Sequence, residues 1–189
     1  TLGLEKFTQV ISDRLSLSPQ VILQLLLLGV IFGLTGKLFA YLLGTFKQSF
    51  TRAFSNPYVR IGVVGLGLSI LLYLIGTGRY TGLGTNLISQ SFTVTDGKSF
   101  ITGEDWLLKL LFTVTTIAAG YKGGEVTPLF SIGASLGVWL APFFGLPVYL
   151  VAALGYAAVF AGATSTTIGP ILIGCEVFGF QHWPAFLLV

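Results

Sequence analysis

The sequence predicts an all-α membrane protein, a polytopic helix bundle that includes half-length helices, on three observations. Of 189 residues, 53% are hydrophobic and 9% are charged, against about 25% charged in soluble domains. The mean hydropathy of +0.87 implies more apolar surface than one soluble core of this size can bury. The apolar residues also come in continuous runs, such as Val21–Val30 (VILQLLLLGV) and Ile61–Ile75. Membrane β-strands alternate instead, and a span in hydrocarbon must pair its backbone within itself or in a closed barrel.

The elements follow from the breakers. Residues 1–18 are mixed and polar, with Phe7, Val10 and Ile11 at helical spacing, so a short surface helix is expected there. They show no apolar region ending in a small-residue cleavage site, so no leader is read. Pro19 suits a first helical turn and opens a helix expected to reach about Phe46. Asn56-Pro57 breaks and restarts the chain for a helix over about Tyr58–Ile75. The run GTGRYTGLG, Gly76–Gly84, is too glycine-rich for a helix and is a turn or re-entrant connection. A short helix is expected at Leu87–Phe92, and the polar Thr93–Gly103 lies in water. Asp105 or Thr102 is the expected cap of a helix over Trp106–Ala119, which is short for a full span.

After the turn GYKGG three shorter helices are expected, at about Pro128–Leu140, Val148–Ala161 and Ile168–Phe178. Pro142 and Pro147 bracket one loop and GATSTT another, and Pro184 opens a last segment. At 1.5 Å per residue these three fall short of a bilayer core of about 30 Å. Helix ends at membrane depth are tolerated only inside protein or along an aqueous cavity, as in transporters built from broken helices. Gly62, Gly65, Gly67, Gly133 and Gly137 permit close helix approach, which any polytopic protein can show. Between Val126 and Val189 the only charged residue is Glu176, so this stretch is nearly all membrane or protein interior. Lys47, Arg52 and Arg60 cluster between the first two long helices, a cytoplasmic signature under the positive-inside rule.

The segment carrying chemistry is Gly120–Leu129, GYKGGEVTPL. Thr127 followed by Pro128 fits an N-cap and a first helical position. The preceding glycines let successive N–H groups point the same way. Unpaired N–H groups and the positive end of the helix then make an anion site without a full cationic charge. Glu125 lies beside that start, and an intramembrane carboxylate is a functional feature by default. An ordinary capped helix after a glycine-rich turn is the bland alternative.

This segment resembles the stretch that opens the anion-binding helix in the second half of the CLC family of chloride channels and transporters, where the pattern is Gly-Gly-(Ile or Val)-Phe-Ala-Pro. Gly123, Gly124, Glu125, Val126, Thr127 and Pro128 stand in its place. Glu125 and Thr127 depart from it in the manner of the fluoride-transporting branch. LGVIFGL at Leu28–Leu34, GTGRYTGLGTNLI and the paired short helices over Gly155–Glu176 follow in family order. The resemblance implies a CLC-type inverted-repeat transport domain of which residues 1–189 form roughly the second half. The Gly-Ser-Gly and Gly-Arg-Glu-Gly loops of the first half, with the gating glutamate, are not in the sequence, and the terminal Tyr is expected beyond Val189. Both ends of the chain therefore read as cuts through a longer protein.

The same resemblance implies fluoride/proton antiport, with fluoride or chloride and protons as partners. The N–H groups of Glu125 and Val126 point at the anion and Thr127 adds a hydroxyl. Glu125 is expected to carry a proton for part of the cycle, since burial and a neighbouring anion both favour the neutral carboxyl, which can donate to fluoride. A homodimer is implied, with Ile168, Leu172 and Cys175 on one face of the interface helix. Its topology places the Lys47–Arg60 loop outside, against the positive-inside reading, so no orientation is assigned. Membrane lipid surrounds the protein, a cell (plasma or inner) membrane being expected.

Glu176 is expected to be structural, His182 and the tyrosines Tyr149 and Tyr156 interfacial, and Lys122 at the mouth of the path or snorkelling. The single His and single Cys lie seven positions apart with no partner motif, so no metal site, cofactor or enzyme is read. Scattered basic residues at a net charge of +3 give no nucleic-acid surface. The competing readings are a chloride channel or chloride/proton exchanger of the same family, and an inactive or scaffolding membrane fragment.

Overall fold

The computed structural model describes residues 18–75, 78–95 and 98–189. The surface helix expected before residue 18 and part of the glycine-rich turn at 76–77 lie outside them. The order is α1 (Pro19–Ala53), α2 (Pro57–Leu74), α3 (Thr85–Ser91), β1 (Val94–Thr95), β2 (Lys98–Ser99), α4 (Asp105–Ala119), α5 (Val126–Phe144), α6 (Val148–Thr164), α7 (Ile168–Phe178), a 3-10 turn (Phe180–His182) and α8 (Trp183–Leu188). The fold is all-α but for the β1–β2 antiparallel pair, four residues in the polar stretch between α3 and α4.

Proline and side-chain caps start the first two helices. Ser18 Oγ accepts the Val21 N–H at 3.3 Å ahead of Pro19, and Asn56 Oδ1 accepts the Tyr58 N–H at 2.9 Å ahead of Pro57. With no proline or glycine in Lys47–Ala53, α1 runs on past the expected end near Phe46 to 35 residues, about 52 Å.

Other boundaries differ from expectation as well: α6 runs past Ala161 into the GATSTT stretch, read as a loop, and ends at Thr164 before the left-handed Ser165. Helix α5 continues past Leu140 through Pro142 and ends at Phe144, where Gly145 turns left-handed at φ 63°. A proline this close to a helix end removes one hydrogen bond and has little helix left to break. At 19 residues, about 28 Å, α5 is long enough to cross, as are α1 and α2. The 17-residue α6 is shorter and the 11-residue α7 is half-length. At α4 the N-cap position falls on Glu104, without a side-chain bond, so neither Asp105 nor Thr102 is the cap.

The core is the antiparallel pair α5–α6, crossed by α1. The pair can close because both helices carry glycine at the crossing: a Cβ on Gly133 would run into the Gly155 carbonyl oxygen, and one on Gly137 into that of Val151. Leu25, Leu28 and Phe32 of α1, Leu129, Ile132 and Leu136 of α5, and Leu150 and Leu154 of α6 are all buried there. A smaller cluster joins Leu68 of α2 to Tyr80, Leu87 and Phe112.

Several single-residue expectations change. Tyr156 is not interfacial but buried, stacked on Phe130 at 4.0 Å and edge-on to Phe178 at 5.3 Å. His182 is likewise buried, while Trp183 beside it is exposed. On α7, Ile168 and Leu172 are 75% and 55% exposed, but Cys175 is 2% exposed. The shared face is thus Ile168 and Leu172 alone. Helix α8 covers the last turns of α7, where Phe186 packs on Gly174, and takes Cys175 into the core.

Candidate anion site at the start of α5

The site lies where α4 hands over to α5. Helix α4 ends at Gly120, φ 110°, with its N–H on the Ile117 carbonyl. Arg60 Nε donates to the Ala119 carbonyl at 2.9 Å, a cation at the negative end of a helix. Tyr121 Oη donates to the Ile61 carbonyl at 3.0 Å. These two bonds tie the corner to α2.

Residues 121–124 then run without regular structure to Glu125, and the first α5 bond is Leu129 N–H to the Glu125 carbonyl at 3.1 Å. The cap position is therefore Glu125, with no side-chain cap bond, and Thr127 is the second helical residue rather than the N-cap. Pro128 is the third, still within the first turn, where a missing N–H costs nothing. The N–H groups of Gly123, Gly124, Glu125, Val126 and Thr127 find no acceptor among the described residues. Five consecutive N–H donors thus stand at the positive end of an apolar helix, open to an acceptor from outside the described residues.

Exposure is uneven. Pro128 is buried, Thr127 half-buried, and Gly123, Gly124, Glu125 and Val126 are exposed, as is Lys122. The burial expected for Glu125 is not supplied by the described residues. The helix start separates two cavities. One, of about 350 Å³, is lined by Glu125 with Phe39, Gly44, Lys47, Leu129 and Thr164. The other, of about 300 Å³, is lined by Gly123, Gly124 and Pro128 with Tyr80, Gly82 and Lys109. Among the described residues no His, Cys, Asp and Glu group fit for a metal forms.

Sequence reasoning missed the polar assembly behind the second cavity. Asp105, fully buried, accepts from Arg79 Nε at 2.9 Å, Arg79 Nη2 at 2.7 Å, Tyr80 Oη at 2.8 Å and the Thr102 N–H at 2.7 Å. Hydrogen bonding to Asp105 raises the pKa of the Arg79 guanidinium against the opposing effect of burial. Lys109 is buried one turn further along α4. The signal available was a lone cation inside the apolar run WLLKLLF.

A family model described as voltage gated chloride channel matches residues 2–189. A chloride/fluoride channel protein from Pseudomonas syringae pv. tomato is 40% identical over 166 residues, covering 82% of this chain and 35% of that protein. The voltage-gated ClC-type chloride channel ClcB of Salmonella typhimurium is 29% identical over 168 residues, covering 85% and 40%. The crystal structure of a CLC-type fluoride/proton antiporter superposes with a TM-score of 0.95 at 56% identity, covering 99% of this chain and 46% of that one. The chain thus spans less than half the length of these relatives.

Proposed function

Since the chain belongs to the voltage gated chloride channel family, a family of integral membrane transporters and channels, we propose that it forms one wall of an anion path whose complete protein exports fluoride in exchange for protons. The observation that carries this reading is the row of five unpaired N–H groups from Gly123 to Thr127, with a carboxylate residue at its centre and a hydroxyl residue at its end. Fluoride is small, strongly hydrated and a strong acceptor, so it must be offered several donors at once to leave water. Neutral donors at a helix start do this without the full charge that would hold an ion too firmly to release it.

Glu125 then couples the ion to the proton: neutral, it donates to fluoride; ionised, it repels it. Thr127 supplies the hydroxyl, and the exposed Ile168–Leu172 face of α7 is the homodimer contact. The protein acts in the cell's plasma or inner membrane. Chloride transport is the second reading, favoured by the relatives named as chloride channels and as an H(+)/Cl(-) exchange transporter.

The test is efflux of fluoride and of chloride, followed with ion-selective electrodes, from liposomes holding the full-length protein, with and without a proton gradient. Fluoride efflux well above chloride, with matching proton uptake, is expected. Glu125→Gln should keep anion binding and lose proton coupling. Chloride efflux equal to or above that of fluoride would remove the fluoride assignment, and intact coupling in the Gln variant would remove the role of Glu125.

A further inference from the structure

Lys109 is 1% exposed, within an apolar helix. An ammonium taken out of water is costly unless it is paired, and an ionisable group at membrane depth asks for a named partner. Its Nζ donates to the carbonyls of Tyr80 at 3.0 Å and Gly82 at 2.7 Å. Those are dipoles, not a counter-charge, and an ammonium has three donors. The carboxylate one turn back, Asp105, is neutralised by Arg79 in a two-pronged pair. No carboxylate pairs with Lys109 among the described residues. One net positive charge is therefore left inside the protein.

That charge has an opening beside it. Lys109 lines the same 300 Å³ cavity as Gly123, Gly124 and Pro128, so two of the five donor residues of the α5 start, Gly123 and Gly124, and the uncompensated lysine face one volume. The lysine is also held in place. A Cβ on Gly84 would meet Lys109 Cε at 2.8 Å and Ser131 Oγ at 2.5 Å, and the 80–82 turn that accepts its protons is anchored through Tyr80 to Asp105.

We propose that Lys109 is the fixed positive charge that sets anion affinity at the start of α5, with the transported anion as its counter-ion. This deepens the anion-path reading above and rests on it. It divides the labour at the site: backbone N–H groups supply the contacts that an ion must leave, and Lys109 supplies a field from behind them, beyond contact. A lysine that only clamped the 80–82 turn would need donors in the right place and no charge.

The experiment titrates fluoride into the detergent-solubilised full-length protein by isothermal calorimetry, comparing wild type, Lys109→Gln and Lys109→Arg, with thermal unfolding without fluoride as the check on folding. The Gln variant should bind about tenfold or more weakly, and the Arg variant should return to near wild type. Wild-type affinity in the Gln variant overturns the proposal. So does an Arg variant as weak as the Gln variant when both melt normally, because the loss is then geometric. If the Gln variant does not fold, Thr113→Asp reads the same charge with the lysine in place, since Thr113 lines this cavity. It should weaken binding where Thr113→Asn does not, and unchanged binding in it overturns the proposal. Absence of fluoride binding by the wild type would remove the fluoride reading itself, and this inference with it.

Discussion

Helices α2 and α5 are both long and apolar enough to cross a membrane, yet 6% of one and 72% of the other is buried within the chain. Both carry closely spaced glycines. On α5, Gly133 and Gly137 lie against the backbone of α6, whereas on α2 only Gly65 is approached, by the Tyr121 side chain, and a Cβ at Gly62 or Gly67 would meet nothing within 4 Å. Glycine spacing therefore reports permission for close approach, not the approach itself. Neighbours make the difference. A two-residue link, Leu146–Pro147, after Gly145 folds α6 back onto α5, while α2 turns Val63, Leu66 and Ile70 outward. That suits lipid, and α2 is tied mainly through Leu68 and the bonds at Arg60 and Tyr121.

The comparison can be broken by substitution, with unfolding of the solubilised full-length protein as the readout. Gly133→Ala should have the largest effect, about 3 kcal/mol or more, because its Cβ meets the backbone of Gly155 and Tyr156 and the helix pair must separate. Near-wild-type stability there would mean the crossing is looser than described. Asp105→Asn comes next, at about 2 kcal/mol. It leaves Arg79 without its counter-charge, discounted because Arg79 is 26% exposed. A melting temperature that does not fall would show the pair to be solvent-screened. Gly67→Ala should be neutral or slightly stabilising, by up to about 1 kcal/mol, since alanine favours a helix where nothing is displaced. Destabilisation there would reveal a partner pressed against α2.

Most helices were legible because proline, asparagine and glycine mark their limits. The ends that shifted did so for local reasons: Lys47–Ala53 contains no breaker, and Pro142 sits too near the end of α5 to stop it. The row of donors at Gly123–Thr127 was legible because it depends on consecutive residues, although the cap itself fell on Glu125 rather than Thr127. What escaped depends on distance in sequence. Asp105 gathers donors from Arg79 and Tyr80, 26 and 25 residues away, so its spacing to Thr102 suggested a cap. Lys109 finds its acceptors 29 and 27 residues away. Cys175 and Tyr156 are buried by α8, Phe130 and Phe178, none of which their own helices announce.

The five N–H groups at the head of α5 that have no acceptor among the described residues have a thermodynamic consequence under the proposed function. If the full-length protein encloses them away from water, they are a standing cost to its folded state. Any anion that occupies them relieves that cost and, by mass action, stabilises the protein as its concentration rises above its dissociation constant. The cargo would then be a folding cofactor as well, and the mouth of the path would be most loosely held in the interval between one ion leaving and the next arriving.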